Sequence, residues 1–122
     1  MSSPDLLRLT FKRSERLKGR NAIREVFGKG KRVSCFGIKL FFIQNGLSYN
    51  RIAVTFSRKF GIAAKRNRSR RCSREAYRHI RALLLGGYDM VFMVYPGNDS
   101  FAARLEQLNT LFMKAGLIKD MY

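Results

Sequence analysis

The chain has 122 residues, 46% of them hydrophobic and 12% aromatic, and its 25 Lys and Arg against 8 Asp and Glu give a formal net charge of +17. This length fits one domain, and the hydrophobic content excludes an intrinsically disordered chain, which combines high charge with low hydrophobicity. The excess of cations indicates a polyanionic partner. No apolar run approaches the ~18 residues of a membrane span, and the N-terminus lacks the apolar core of a signal peptide.

The first half of the chain predicts one helix and two strands. Residues 1–13 form a basic lead-in that we expect to be loosely ordered. A short helix is predicted from an N-cap at Asn21 to Gly28. Segments 33–43 and 51–56 are rich in residues suited to strands.

The second half predicts a long helix, a buried strand and a last helix. The long helix covers 62–85 and ends at a glycine pair. Segment 88–95 is almost continuously apolar, as expected of a central strand covered on both faces. Asp99 or Ser100 caps the last helix, whose apolar residues keep helical spacing. Residues 14–122 are therefore predicted to form a single α+β domain, a helix–strands–helix–strand–helix sandwich around a central sheet.

The predicted helix 62–85 is exceptionally basic. At about 100° per residue, an apolar stripe falls on one side: Cys72, Ala76, Ile80, Leu83 and Leu84. The opposite side carries Arg66, Asn67, Arg70, Arg71, Arg74, Arg78 and Arg81. A solvated face would mix charge signs, whereas like charges four residues apart repel. Binding of a membrane or of a calmodulin-like protein is possible for such a helix, but its small apolar stripe is needed for the core, so nucleic-acid phosphates are favoured.

Two further features leave alternatives open. Asn67 either binds RNA directly or holds the helix start by bonding the backbone. In segment 36–43, Lys39 and Phe41 point the same way and offer phosphate neutralisation beside a stacking platform for single-stranded bases. Alternatively, Phe41 packs against Phe27 under the first helix.

Catalytic and metal-binding constellations are not evident. Cys35, Cys72 and the single His79 have no zinc-site spacing, and we interpret both cysteines as reduced residues of a cytoplasmic protein. The eight carboxylates are scattered, without a cluster suited to two-metal hydrolysis of a phosphodiester. The sequence therefore predicts no catalytic residue and no metal site in this chain.

The run from Ala53 to Arg78, AVTFSRKFGIAAKRNRSRRCSREAYR, resembles the signature of the bacterial ribonuclease P protein component. The resemblance rests on the whole spacing: Ser57-Arg58-Lys59, Gly61, Ala63, Arg66-Asn67-Arg68, Arg70-Arg71 and Arg74-Glu75. It implies a fold with an unusual left-handed βαβ crossover, shared with a ribosomal protein domain, which breaks the usual right-handed preference.

The resemblance also implies a function. The protein would assist a catalytic RNA, which holds the Mg²⁺ ions with the substrate, in removing the 5′ leader of precursor tRNA. The protein would be monomeric apart from the RNA. The implied RNA-binding residues are Arg58, Lys59, Lys65, Arg66, Asn67, Arg68, Arg70, Arg71, Arg74 and Arg78. The implied leader-binding cleft contains Phe27, Lys39, Phe41 and Ile23, the last departing from the aromatic residue common in the family.

Two other functions fit the same basic surface. A structural RNA-binding protein, such as a ribosomal component, would have a fully buried Phe41. A DNA-binding module is the second alternative, although helix-turn-helix spacing and a dimerisation segment are lacking.

Overall fold

The computed structural model describes residues 13–119, and it confirms the predicted α+β class with three helices around one sheet. The elements are a 3₁₀ turn (Arg13–Glu15), α1 (Arg20–Lys29), β1 (Lys31–Cys35), β2 (Ile38–Gln44), β3 (Arg51–Phe56), α2 (Ala63–Ile80), a second 3₁₀ turn (Arg81–Leu83), β4 (Tyr88–Val94) and α3 (Phe101–Ala115). Of the expected lead-in, residues 1–12 lie outside the described residues. No helix in the described part of the chain is long and apolar enough to cross a bilayer.

The four strands form one mixed sheet in the order β1-β2-β4-β3. β1 pairs with β2, and β2 with β4, in antiparallel fashion, whereas β3 and β4 are parallel. Parallel neighbours need a crossover connection, and α2 supplies it. The basic helix is thus the connection of a βαβ unit, with both of its ends fixed by adjacent strands.

The segment predicted as one strand, 33–43, is a hairpin of two strands, so this prediction was wrong. Phe36 and Gly37 form a two-residue turn between the paired residues Cys35 and Ile38. Gly37 has φ of +89°, a conformation that glycine adopts without strain. The sequence pattern hid the turn because strand-forming residues continue on both sides of it.

Two apolar clusters cover the two faces of the sheet. The larger contains the inward residues of β2, namely Ile38, Leu40 and Phe42, and packs against α2 and α3. The smaller lies on the opposite face, where α1 contributes Val26 and β4 contributes Val91. β4 is therefore covered on both faces, which explains its continuous apolar run.

Several helix ends differ from the prediction. The N-cap of α1 is Gly19 rather than Asn21, and the helix continues through Gly28 to Lys29. The long helix ends at Ile80 and continues only as a 3₁₀ turn. The cap at Ser100 is confirmed, because its Oγ accepts a hydrogen bond from the Ala103 amide at 3.1 Å.

A buried arginine ties α3 to α2. Arg104, only 1% exposed, pairs through Nη2 with Asp99 Oδ1 at 2.6 Å and donates through Nη1 to Ser73 Oγ. Ser69 Oγ donates to the same Asp99 oxygen at 2.9 Å. A buried guanidinium needs such partners to offset the loss of hydration. The apolar stripe predicted for α3 does not include Arg104, because charged side chains are rarely buried.

The close approach of α1 to β2 at Gly30 gives a stability prediction. A Cβ at Gly30 would lie 2.5 Å from the Val26 carbonyl oxygen and 2.8 Å from that of Phe42, both backbone atoms. Gly30→Ala should therefore lower the free energy of unfolding by about 1–3 kcal/mol, the usual cost of overpacking.

The matched control is Gly28→Ala, because a Cβ at this helical position has nothing within 4 Å. It should raise the free energy of unfolding by about 0.5–1 kcal/mol. Urea unfolding of both variants measures the two changes. Similar stability of the two variants would contradict the close approach at Gly30.

Candidate nucleic-acid interface

Exposed cations cluster at the turn into α2 and along the first half of that helix. Their side chains lie in solvent, and the first turn of the helix contains no acidic residue. We call this set the α2 cationic surface: Arg58, Lys59, Lys65, Arg68 and Arg71. The predicted RNA-binding residues thus include five side chains whose positive charge faces solvent.

Three predicted RNA-binding arginines do not lie opposite the buried stripe, which corrects the sequence interpretation. Arg66, Arg70 and Arg74 are half-buried beside the buried face of α2. That face consists of Ser69, Ser73, Ala76, Tyr77 and Ile80. The sequence pattern centred the apolar stripe on Cys72, whereas two serines occupy that place because they serve the buried Arg104.

Two of the half-buried arginines, Arg70 and Arg74, lie near the edge of the sheet at β3. The Arg70 guanidinium carbon lies 5.2 Å from the centre of the Phe56 ring, a cation–π distance. Burial, and then the positive charges of Arg16 and Arg70, lower the pKa of Arg74. This edge therefore brings several positive charges close together.

Two buried polar atoms at the start of this region have no hydrogen-bond partner in the described part of the chain. They are Ser57 Oγ, at the end of β3, and Arg66 Nε in α2. Buried polar atoms are rarely left unpaired in folded proteins. Both atoms are buried, so they mark an unsatisfied place inside the turn rather than groups that face a ligand.

Asn67 and Arg78, both predicted to bind RNA, have protein partners. Asn67 Oδ1 accepts a hydrogen bond from Arg70 Nη1 at 2.9 Å, so its side chain orients a neighbouring arginine. Arg78 forms an ion pair with Glu75, which also lies 3.4 Å from His79. The exposed positive charge is consequently concentrated in the first half of α2.

The predicted leader-binding residues are only partly brought together. Ile23, Phe27 and Phe41 meet where α1 crosses the sheet, and the two aromatic rings lie 4.7 Å apart in an edge-to-face arrangement. Both rings remain half-buried. Phe41 therefore contacts Phe27, as the packing alternative expected, and keeps part of its surface in solvent.

Lys39 lies apart from this aromatic pair, one row farther along the same sheet face. It faces Met93 of β4, which in turn faces Thr55 of β3. The Lys39 ammonium lies 5.5 Å from the centre of the Tyr95 ring. Tyr95 was not among the predicted site residues, although its place at the end of the apolar run 88–95 could have marked it as an aromatic residue at the end of a strand, where it is half-buried.

Within residues 13–119, no group of three or more His, Cys, Asp or Glu side chains is arranged to hold a metal ion. The two cysteines are free thiols, and burial raises the pKa of each. A raised pKa disfavours the thiolate, which is the reactive form. Neither cysteine is therefore suited to act as a nucleophile.

Comparison with known proteins identifies the family. The family model for ribonuclease P matches residues 11–116. The chain is 42% identical over 84 residues to the ribonuclease P protein component of Petrotoga mobilis, covering 69% of this chain and 71% of that protein. It is 43% identical over 86 residues to that of Borrelia duttonii, covering 70% and 75%.

Solved structures agree with the sequence matches. The ribonuclease P protein of Thermotoga maritima superposes with a TM-score of 0.72 at 30% identity, covering 80% of this chain and 94% of that chain. The Staphylococcus aureus protein gives 0.76 at 18% identity, covering 86% and 98%, which supports the fold alone. With the family model spanning most of its length and relatives above 40% identity, the chain belongs to the ribonuclease P protein family.

Proposed function

We propose that this protein docks on the catalytic RNA of ribonuclease P through the α2 cationic surface and holds the 5′ leader of precursor tRNA against the face of the sheet beside α1. Family membership supplies the ribonucleoprotein context. The observation that carries the leader assignment is the half-buried pair of Phe27 and Phe41, an aromatic platform on a basic protein.

The charge distribution supports docking on RNA through α2. The guanidinium groups of Arg68 and Arg71 are exposed on a helix fixed at both ends by the sheet, and the half-buried Arg70 is oriented by Asn67. Such fixed guanidinium groups suit phosphates, with which they form two parallel hydrogen bonds.

The aromatic platform supports binding of single-stranded RNA. Bases of a single strand are free to stack on aromatic side chains, and stacking is tolerant of sequence. Lys39, one row away, can neutralise a phosphate of the same strand. A fully buried Phe41 would favour a purely structural role, whereas this Phe41 is only half-buried.

In this proposal the chemistry belongs to the RNA subunit, which holds Mg²⁺ together with the substrate. The protein acts by position and charge. Because mature tRNA has no leader, the cleft binds precursor in preference to product, and this difference speeds turnover by letting product leave. We further propose that the protein is cytoplasmic and monomeric apart from its RNA.

The division of labour predicts that the isolated protein does not cleave precursor tRNA. Activity should require both the catalytic RNA and Mg²⁺. Labelled precursor is incubated with purified protein, with RNA, and with both. Leader removal by protein alone that a point mutation in this chain abolishes would contradict the proposal.

Docking predicts a change in salt dependence. Replacing Lys65, Arg68 and Arg71 together by Ala should weaken binding to the catalytic RNA and flatten the log–log salt slope by about 2–3, because each phosphate that a cation neutralises adds ~0.7–0.9 to the slope. Their exposure means that the fold should survive.

A control variant removes the same charge elsewhere. Arg24, Lys31 and Lys119 are exposed and lie outside α2. Their replacement by Ala should leave the log–log salt slope for binding to the catalytic RNA nearly unchanged when tRNA is absent. Equal slopes for the two triple variants would show that net charge, rather than the α2 cationic surface, governs docking.

If the aromatic platform binds the leader, its removal should weaken the binding of precursor tRNA selectively. In the assembled holoenzyme, Phe41→Ala should weaken precursor binding by at least ~1 kcal/mol, since stacking contributes about 1–3 kcal/mol per base. Affinity for mature tRNA should not change. Phe101→Ala on α3, a substitution of another half-exposed phenylalanine, should affect neither.

Thermal melts of both variants accompany these titrations, because loss of packing against Phe27 also lowers stability. Equal weakening of the binding of precursor and mature tRNA would show that Phe41 has only a structural role.

A further inference from the structure

The tip of the β1–β2 hairpin presents an aromatic ring with no packing role. Phe36 is 98% exposed, whereas its neighbours Cys35 and Ile38 pack in or against the core. Isolated exposed apolar residues are common on protein surfaces. This one differs because the turn that carries it is held rigidly and because other potential RNA contacts lie beside it.

The hairpin tip is anchored on two sides. Gln107 of α3 donates through Nε2 to the Phe36 carbonyl oxygen at 3.0 Å. The Tyr95 amide donates to the Gly37 carbonyl oxygen at 3.0 Å. A ring on a fixed backbone loses little conformational freedom on binding, which favours affinity.

The tip continues the proposed leader-binding face. Along β2, Phe41 is followed toward the tip by Lys39, whose ammonium lies over the ring of Tyr95. The backbone amide of Tyr95 in turn donates a hydrogen bond to the carbonyl oxygen of Gly37, which follows Phe36. Aromatic, cationic and aromatic groups thus succeed one another from Phe41 on β2 toward the hairpin tip, an arrangement suited to tracking bases and phosphates of single-stranded nucleic acid.

A groove of about 340 Å³ opens beside Phe36 on the side of α3, whose residues Arg104, Glu106 and Gln107 line it together with the hairpin tip. Tyr95 and Pro96 supply apolar surface, and Asn98 supplies an amide. Glu106 also lines the groove and would repel a phosphate there. Arg104 also lines the groove but is paired with Asp99, and Lys114 lies nearby, where its Nζ donates to the Ser34 carbonyl oxygen at 2.9 Å.

We infer that Phe36 and Tyr95 form a second stacking site for the precursor leader, which extends the platform of Phe27 and Phe41 along the sheet. The inference rests on the proposed function of that platform. Charge favours RNA as the occupant: a formal net charge of +17 attracts a polyanion and repels a second copy of the chain.

The spacing sets the length of leader required. Phe36 and Phe41 are five residues apart, about 17 Å at about 3.4 Å per strand residue. A stacked strand rises about 3.4 Å per nucleotide, so the two sites are separated by up to about five nucleotides.

The test compares Phe36→Ala and Phe41→Ala holoenzymes on precursors whose leaders lengthen one nucleotide at a time. Phe36→Ala should weaken precursor binding about fivefold or more. The leader length at which this loss first appears should differ by up to about five nucleotides from the length at which the loss in Phe41→Ala first appears. Mature tRNA and the catalytic RNA should bind as before. Phe36→Trp should retain affinity, whereas Phe36→Leu, which is apolar but cannot stack, should not.

The two variants test the second site and the proposed function independently. A selective loss in Phe41→Ala with none in Phe36→Ala at any leader length overturns the second site and leaves the proposed function intact. Unchanged precursor binding by Phe41→Ala contradicts the proposed function itself. Full affinity in Phe36→Leu, weaker binding of Phe36→Ala to the catalytic RNA, or equal loss toward mature tRNA would each assign Phe36 to another contact and overturn the inference.

Discussion

The protein has to fold while carrying far more positive than negative charge, and the placement of its few carboxylates determines what its surface can do. Five of the six carboxylates within residues 13–119 form ion pairs with cations. Three of the pairs lie in partly or wholly buried places: Asp99 with Arg104, Asp89 with Arg51, and Glu15 with Arg81. Carboxylates are thus used where a buried cation would be costly, and the start of α2 is left without them.

The buried Arg104 connects this constraint to function. Its partners Ser69 and Ser73 lie on α2, within the stretch that also carries Arg68 and Arg71. Fixing the buried face of the helix fixes the direction in which the opposite face points. A rigid cationic face loses less entropy when it binds phosphates than a flexible basic tail would. The polar contact between α2 and α3 therefore orients the α2 cationic surface.

Much of the fold could be predicted from the sequence, because strand 88–95, the cap at Ser100 and the basic helix have strong local signals. The division of 33–43 into two strands could not, since Phe36 interrupts neither the apolar content nor the strand propensity. The buried faces of α2 and α3 were predicted only in part: Ala76 and Ile80 on α2, and Leu108 and Phe112 on α3, are buried as expected, but other members of both faces were not foreseen. Serines and an arginine occupy positions that a hydrophobicity pattern assigns to solvent, and only the tertiary pairing of Arg104 makes their burial favourable.

The candidate site was also only partly predictable from the sequence. Exposed cations such as Lys65 and Arg68 follow directly from composition and spacing. Arg66, Arg70 and Arg74 were placed opposite the buried face because the helix was oriented by Cys72. Contacts between distant segments, such as Phe27 with Phe41 or Lys39 with Tyr95, depend on how α1 and the strands are arranged, which the sequence pattern alone does not specify.

The α2 cationic surface and the sheet face beside α1 are proposed to serve two different RNAs, and crosslinking tests this division most directly. Photoreactive nucleotides are placed either in the precursor leader or throughout the catalytic RNA, and crosslinked peptides of the holoenzyme are identified by mass spectrometry. We expect leader crosslinks within 23–43 and 88–95, and catalytic-RNA crosslinks within 57–78. Leader crosslinks confined to α2, or both RNAs crosslinking to the same peptides, would contradict the division.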